Sequence, residues 1–264
     1  MMLMGLAVAA TSGMFLAGKR NMTMQAREVE TTQTARAALD MMVRDLRLGG
    51  ACLPVTGDFI SLDGVDNGTL DEIYTRTGLT RPDLSCISNT VPIGSSVTKA
   101  GANIPLQSTT GFTAGMRAYI RAPNGVGEFF VVNTVSSPTL LTKSATLSQD
   151  YPATSGVYGI DERHFFIQNY TGSRGVVPEL MMQIGTAAAQ PFAVGIEQLD
   201  IQYQLSRNCP PCDIVSLPAN DAEWAIVQRV LLNVTARSEV PDETGKYYRR
   251  TLTMGVKPRN LLPQ

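Results

Sequence analysis

Histidine is almost absent from this 264-residue chain: His164 is its one imidazole and Trp224 its one indole. A Ser-His-Asp hydrolase would have to use His164, and no Gly-x-Ser-x-Gly elbow accompanies it. His164 opens an apolar run, so the ordinary reading is a core or strand-edge residue. Charge is scarce too. Asp, Glu, Lys and Arg make up 17% of the residues and the net charge is −1. That removes the electrostatic case for nucleic acid and suits a β-rich or envelope protein better than a cytosolic enzyme. No phosphate loop is present: Gly125 and Gly127 belong to a hairpin signal, and no helix follows them. Against the twelve-residue calcium loop, Asp63, Asn67 and Gly68 match, but Val65 and Tyr74 stand where ligands are required. An acid, a base and a nucleophile do not emerge as a set. The expectation is therefore a protein without catalytic activity, cofactor or metal.

Proline is missing from the whole start of the chain; the first is Pro54. There an apolar run, Met1–Gly18, passes without a linker into Lys19–Leu48. The second half is amphipathic. Ala35, Leu39, Met42 and Leu46 are spaced by four, three and four, one stripe of a helix that would pack on a globular head. Arg36/Asp40 and Asp40/Arg44 are opposite-charge pairs four apart on the other face. Gly49-Gly50 supplies a left-handed stop. One helix over Met2–Leu48 would be about 70 Å long, more than the ~30 Å core of a bilayer. In its apolar half Gly5, Ala9 and Gly13 recur every four residues and let helix backbones approach closely. Met2, Leu6, Met14 and Leu16 join them on the expected assembly face.

The rest reads as strands. Asp58–Leu62 and Asp71–Thr77 are expected strands, with Asp63-Gly64 and Asn67-Gly68 as turns. Thr90–Tyr158 differs in texture, being rich in Gly, Ser, Thr and Val. Arg117–Arg121 and Glu128–Asn133 flank Pro123-Asn124-Gly125 as a hairpin, and Leu140–Leu147 and Gly156–Ile160 are further strands. A small β-barrel or meander inserted over residues 90–158 is expected. His164–Asn169, Pro178–Ile184, Phe192–Leu205, the run through Val230, Leu232 and Val234, and Tyr248–Val256 complete the main body, with Tyr170–Gly175 as a turn. Asn220 or Asp221 caps a short helix into Trp224. The fold class is α+β: a long N-terminal helix on an antiparallel sheet, in units 1–50, 51–89 with 159–264, and 90–158.

Four cysteines fit two disulfides in an oxidising compartment. Three connectivities are open. The expected one joins Cys52 to Cys86 and Cys209 to Cys212. Cys209-Pro-Pro-Cys212 is followed by Asp213 and irregular chain rather than a helix, so a loop-closing bridge is favoured over a redox pair. Zinc on all four thiols is a weaker alternative.

Thr34-Ala-Arg-Ala-Ala-Leu-Asp-Met-Met-Val-Arg-Asp-Leu-Arg-Leu-Gly-Gly50 resembles the end of the N-terminal helix in PilW-like minor pilins of type IV pili, and the related J-type pseudopilins of type II secretion. Phe165-Phe-Ile-Gln-Asn-Tyr170 with Pro178-Glu-Leu180, Val194–Tyr203, Trp224–Leu232 through Arg237-Ser238, and Tyr248-Arg-Arg-Thr251 with Arg259-Asn260 are similar to later segments of that family. In the family a basic leader and Gly-Phe-Thr-Leu-x-Glu precede the apolar helix; Met1 falls just after where they would end. The resemblance implies an inner-membrane anchor with a periplasmic head, later part of an extracellular pilus. It implies other minor pilins and the major pilin as partners, with a pilus-tip adhesin as a further one, and a role in starting filament assembly. By itself, Lys19-Arg20 after the apolar run would place the body on the cytoplasmic side. The competing expectation is a secreted or membrane-anchored β-rich module that binds carbohydrate or protein through Thr90–Tyr158.

Overall fold

The computed structural model describes residues 2–54, 59–81, 85–87, 89–172 and 175–258; the side chains of residues 2–13, 16 and 17 lie outside that description. One helix, α1 (Met2–Leu48), runs unbroken for 47 residues. Gly50 ends it at φ +80, a conformation that costs glycine nothing, and its N–H donates to the Arg76 carbonyl at 2.9 Å.

The described remainder is antiparallel β-structure with one short helix. The strands are β1 (Leu62–Val65), β2 (Glu72–Gly78), β3 (Asn89–Thr90), β4 (Asn103–Pro105), β5 (Arg117–Arg121), β6 (Gly127–Ser137), β7 (Leu140–Lys143), β8 (Gly156–Gly172), β9 (Gly175–Ile184), β10 (Gln190–Val194), β11 (Ile196–Leu205), β12 (Ile214–Val215), β13 (Val227–Arg237) and β14 (Arg249–Val256). Helix α2 (Asp221–Ala225) is capped by the Asn220 side chain, which accepts from the Glu223 N–H. The first sheet follows β1-β2-β8-β5-β6-β7-β4, with β3, β9 and β10 attached through β8 and β9; the second follows β12-β11-β13-β14. The chain is α+β.

Two large cores and a small third cluster around Leu53, Tyr119 and Ile160 lie on this frame. The first gathers Ala35, Ala38, Leu39, Met42, Val43 and Leu46 of α1 with Ile73, Phe165, Ile201, Trp224, Val230, Leu232 and Val234. Here α1 touches β14, β13, β10 and β2. The alternation foreseen in β11 holds: Leu199, Ile201, Tyr203 and Leu205 are buried and the intervening residues are partly exposed. The second core draws only on residues between Val91 and Val157, among them Ile104, Ile120, Phe130, Val132, Leu141 and Tyr151. Its strands form the meander β5-β6-β7 rather than a closed barrel. The strand path stays open, and a backbone hydrogen bond from Gln107 to the Thr90 carbonyl, 3.1 Å, crosses the seam.

Several local expectations shift. Asp63-Gly64 is not a turn but the middle of β1. A Cβ on Gly64 would lie 2.6 Å from the Tyr203 hydroxyl oxygen, so this glycine serves close packing. Of the strand foreseen over Asp58–Leu62, Phe59–Ser61 is irregular, Leu62 begins β1, and Asp58 lies outside the described residues. Gly156–Ile160 and His164–Asn169 merge into the single strand β8, which runs on through Tyr170–Gly172. Phe192–Leu205 is broken at Gly195, φ +86, where a Cβ would lie 2.8 Å from the Arg237 carbonyl oxygen. Leu140–Leu147 stops at Lys143, whose ammonium turns inward to the carbonyls of Lys99 and Ala145. Arg259-Asn260 lies outside the described residues.

Asp71 fastens the sheets together. One carboxylate oxygen accepts from Asn67 N–H at 2.9 Å and the other from Ile201 N–H at 2.7 Å, beside a parallel bridge between Leu70 and Leu199. Burial pushes its carboxyl above the usual range, against the pull of these N–H donors and with Asp66 and Asp200 adding to the rise.

Two outcomes follow from the packing. Leu39→Ala removes a fully buried side chain from the first core and lowers unfolding free energy by about 2–5 kcal/mol, whereas Arg36→Ala on the exposed face stays within about 0.5 kcal/mol; urea denaturation of each variant checks this. The disulfide Cys52–Cys86 spans 34 residues and Cys209–Cys212 only three. Loop entropy assigns about 4 kcal/mol to the first and about 2 kcal/mol to the second, so the double serine variant of the first pair melts well below that of the second.

Candidate functional site: the bare half of the helix

Burial divides α1 in two. From Thr31 onward its stripe is in the core: Ala35, Leu39, Met42 and Leu46 are each at most 1% exposed. Before it, every described side chain from Met14 to Glu30 is exposed except Arg27, which is half-buried. About 40 Å of helix therefore extends past the head's core.

Two arginines brace this length. Arg20 pairs with Glu243 at 2.9 Å and Arg27 donates to the Pro241 carbonyl at 3.2 Å. They are seven residues apart, hence on one face. The loop they grip is shaped by Asp242, whose carboxylate accepts from the Thr244 hydroxyl and from the N–H groups of Thr244 and Lys246. Those bonds, with the charge of Arg27, hold the Asp242 carboxyl below the usual range.

Two residues further round, at about 200°, lies the face turned away from the head. Phe15, Met22 and Val29 stand there at seven-residue intervals, exposed by 74%, 73% and 54%. Ala26, Gln25 and Gln33 edge a shallow groove along the same face with Met22 and Val29. Residues seven apart fall on nearly one line of a helix, so these three make a single exposed apolar stripe. The seven-residue spacing was readable in the sequence, but not that this face is the free one; that required knowing where the head lies. Met14 is 77% exposed. Of the other residues on the foreseen assembly face, the side chains of Met2, Gly5, Leu6, Ala9, Gly13 and Leu16 lie outside the described set, although their backbone is helical. Among the described residues no helix is long and apolar enough to cross a membrane.

The other sequence candidates are the four cysteines and His164. Cys52 is bonded to Cys86 and Cys209 to Cys212, the expected pairing, and no described cysteine is a free thiol. Among the described residues no cluster of His, Cys, Asp and Glu fits a metal ion. His164 is wedged between Tyr74 and Phe166, ring centroids 3.9 and 4.5 Å away, and its Nε2 lies 2.7 Å from Glu72 Oε2. Such contacts fix the ring in place. On the same face of β8, Glu162 receives Arg76 Nε at 2.6 Å and Arg117 Nη1 at 2.8 Å, and Arg76 also reaches Asp63 at 3.1 Å. Both guanidiniums lie over Phe129, at 5.0 and 4.8 Å. This network joins residues of the second core's strands to the main body. Sequence reading missed it because its members are far apart in the chain.

No protein-family model and no curated protein matches this chain.

Burial pushes the Glu162 carboxyl up, but the hydrogen bond and charge of Arg76, then those of Arg117, outweigh it and leave it lowered. A carboxyl lowered in the folded state contributes stability that is complete above its unfolded pKa and drains as pH falls through the folded value. Asp71, raised, contributes in the opposite sense: its share is present below the unfolded pKa and is lost as pH rises through the folded one. Urea unfolding of wild type and Glu162→Gln is expected to show a gap between them that is widest at neutral pH and narrows on acidification.

Proposed function

We propose that this chain is a non-enzymatic minor pilin-like subunit, joined to other pilins by the bare half of α1 and helping to start a type IV pilus. The observation that carries the reading is the heptad-spaced stripe Phe15, Met22 and Val29, exposed on a helix whose remaining turns are built into a core. An isolated soluble head gains nothing from an apolar seam facing solvent, while a bundle of such helices buries it. The resemblance of Thr34–Gly50 and the later segments to PilW-like minor pilins supports the same reading. So do the two disulfides, which belong to an oxidising compartment. The apolar run Met1–Gly18 then serves as the inner-membrane anchor before assembly, with the head in the periplasm. Residues 51–89 and 159–264 form the pilin-like head on the helix 1–50, and 90–158 an inserted subdomain. Other minor pilins and the major pilin are the partners, with a tip adhesin as a further one.

A second reading draws on the separate core of residues Val91–Val157: a membrane-anchored or secreted module in which that region binds carbohydrate or protein. There the helix is only a tether. The two readings diverge on the helix face. Under the proposal, Met22→Glu with Val29→Glu leaves the head's melting temperature unchanged, because both side chains are exposed, yet abolishes co-purification with pilins from the inner membrane. Undiminished co-purification would sink it, and ligand binding by a head on any foreign anchor would favour the module.

A further inference from the structure

A cavity of about 610 Å³ lies where the end of α1, the first sheet and the loop Thr113–Arg117 meet. That volume is in the range of small-ligand pockets, about 300–1,000 Å³. The strand register builds its floor. Thr75, Arg163 and Ile184 stand in one row across β2, β8 and β9, and Thr77 stands opposite Asp161 in the next. Antiparallel partners share a face, so these side chains point together toward the helix end. Leu48 and Met116 line it, and the Thr186 hydroxyl donates to the Gly115 carbonyl at 2.9 Å, tying the loop before β5 to the turn after β9.

The charges in this cavity do not close. Arg163 donates through Nη1 to Asp45 Oδ1 at 2.8 Å and through Nη2 to Asp161 Oδ2 at 3.4 Å. Two carboxylates thus share one guanidinium. Glu162 and Arg117 also border the cavity, but with Arg76 and Asp63 they close among themselves, two guanidiniums on two carboxylates. Asp45 is 4% exposed, and its Oδ2 is buried with no hydrogen-bond partner among the described residues. A buried carboxylate oxygen without a donor is costly. Asp161 is held by the longer contact and is a third exposed, so it is open to a ligand. The walls are apolar: Leu48 and Ile184 are each about half exposed, at 49% and 47%.

We propose that this cavity binds a primary ammonium group carried on an aliphatic stem. An ammonium brings three donors and one positive charge, which matches two carboxylates beside one arginine and the hydroxyl of Thr77. The stem lies along Leu48, Met116 and Ile184. A free alkylamine and a lysine side chain of another protein share this chemistry.

Titration calorimetry on the full chain in a neutral detergent separates the cases, with n-pentylamine, pentan-1-ol and acetyl-Gly-Lys-Gly-amide as probes. Saturable one-to-one binding of pentylamine or the peptide is expected, at least tenfold tighter than pentanol. Asp161→Asn is expected to weaken it about tenfold, about one charge-assisted contact. Asp45→Asn tests the second carboxylate. Should it fail to fold, having lost the buried partner of Arg163, Asp161→Asn and Thr77→Val still decide the matter. Tighter binding of the peptide identifies a protein lysine as the source, and tighter binding of pentylamine a free amine. Pentanol binding as well as pentylamine, an Asp161→Asn variant that binds like wild type, or no saturable heat from amine or peptide up to ~10 mM would each overturn the assignment.

Discussion

Strand β8 is the constraint on which the other elements depend. It runs for 17 residues and is hydrogen-bonded in succession to β3 and β5 at its start, then to β2 and β9. Its alternation assigns Val157 to one core and Phe165 to the other, and sends Ile160, Glu162 and His164 to the opposite face. A slip of one residue would exchange the faces: Phe165 would leave the core, and Glu162 would enter it without Arg76. The separate core of Val91–Val157 therefore hangs from the main body by a shared, register-locked strand rather than by a flexible linker.

Polar groups set the angles between these parts. Asp71 holds the second sheet to the first through the Ile201 N–H, while its other oxygen fixes its own loop through the Asn67 N–H. Glu162, between Arg76 and Arg117, ties β2 and β5 together across β8. Arg163, reaching Asp45, fastens the helix end to β8. None of these needs to add net stability, since a buried ion pair roughly balances its desolvation. What they exclude is any other arrangement, because separating a pair strands a buried charge.

The helix answers to two environments. Its last five turns are one wall of a core, and the turns before them carry an apolar seam that the head does not cover. Arg20 and Arg27, gripping the loop around Asp242, fix the direction in which that seam is presented. Both halves are helical for local reasons: no proline, no run of β-branched residues, and a glycine stop at the end. Which half is buried is not a local matter.

Much of the fold was legible where pattern is local. The buried stripe Ala35–Leu46, the alternation of Leu199–Leu205, the Asn220 cap, the hairpin at Pro123–Gly125 and the texture change near residue 90 all rest on periods of 3.6 or 2 or on turn chemistry. The readings that changed depended on distant atoms. Gly64 looked like a turn because Asp-Gly usually is one, but Tyr203 packs against it. Two short apolar runs merged into β8 because charged residues between them, Asp161, Glu162 and Arg163, find partners across the sheet. The sequence by itself determined the helix, its two-sided character, most strands and an even set of cysteines, since each follows from neighbours a few residues apart. The tertiary structure alone decided which helix face stays bare and that Asp45 and Asp161 meet on one arginine beside a cavity, because those properties arise only when residues tens to hundreds of positions apart are brought into contact.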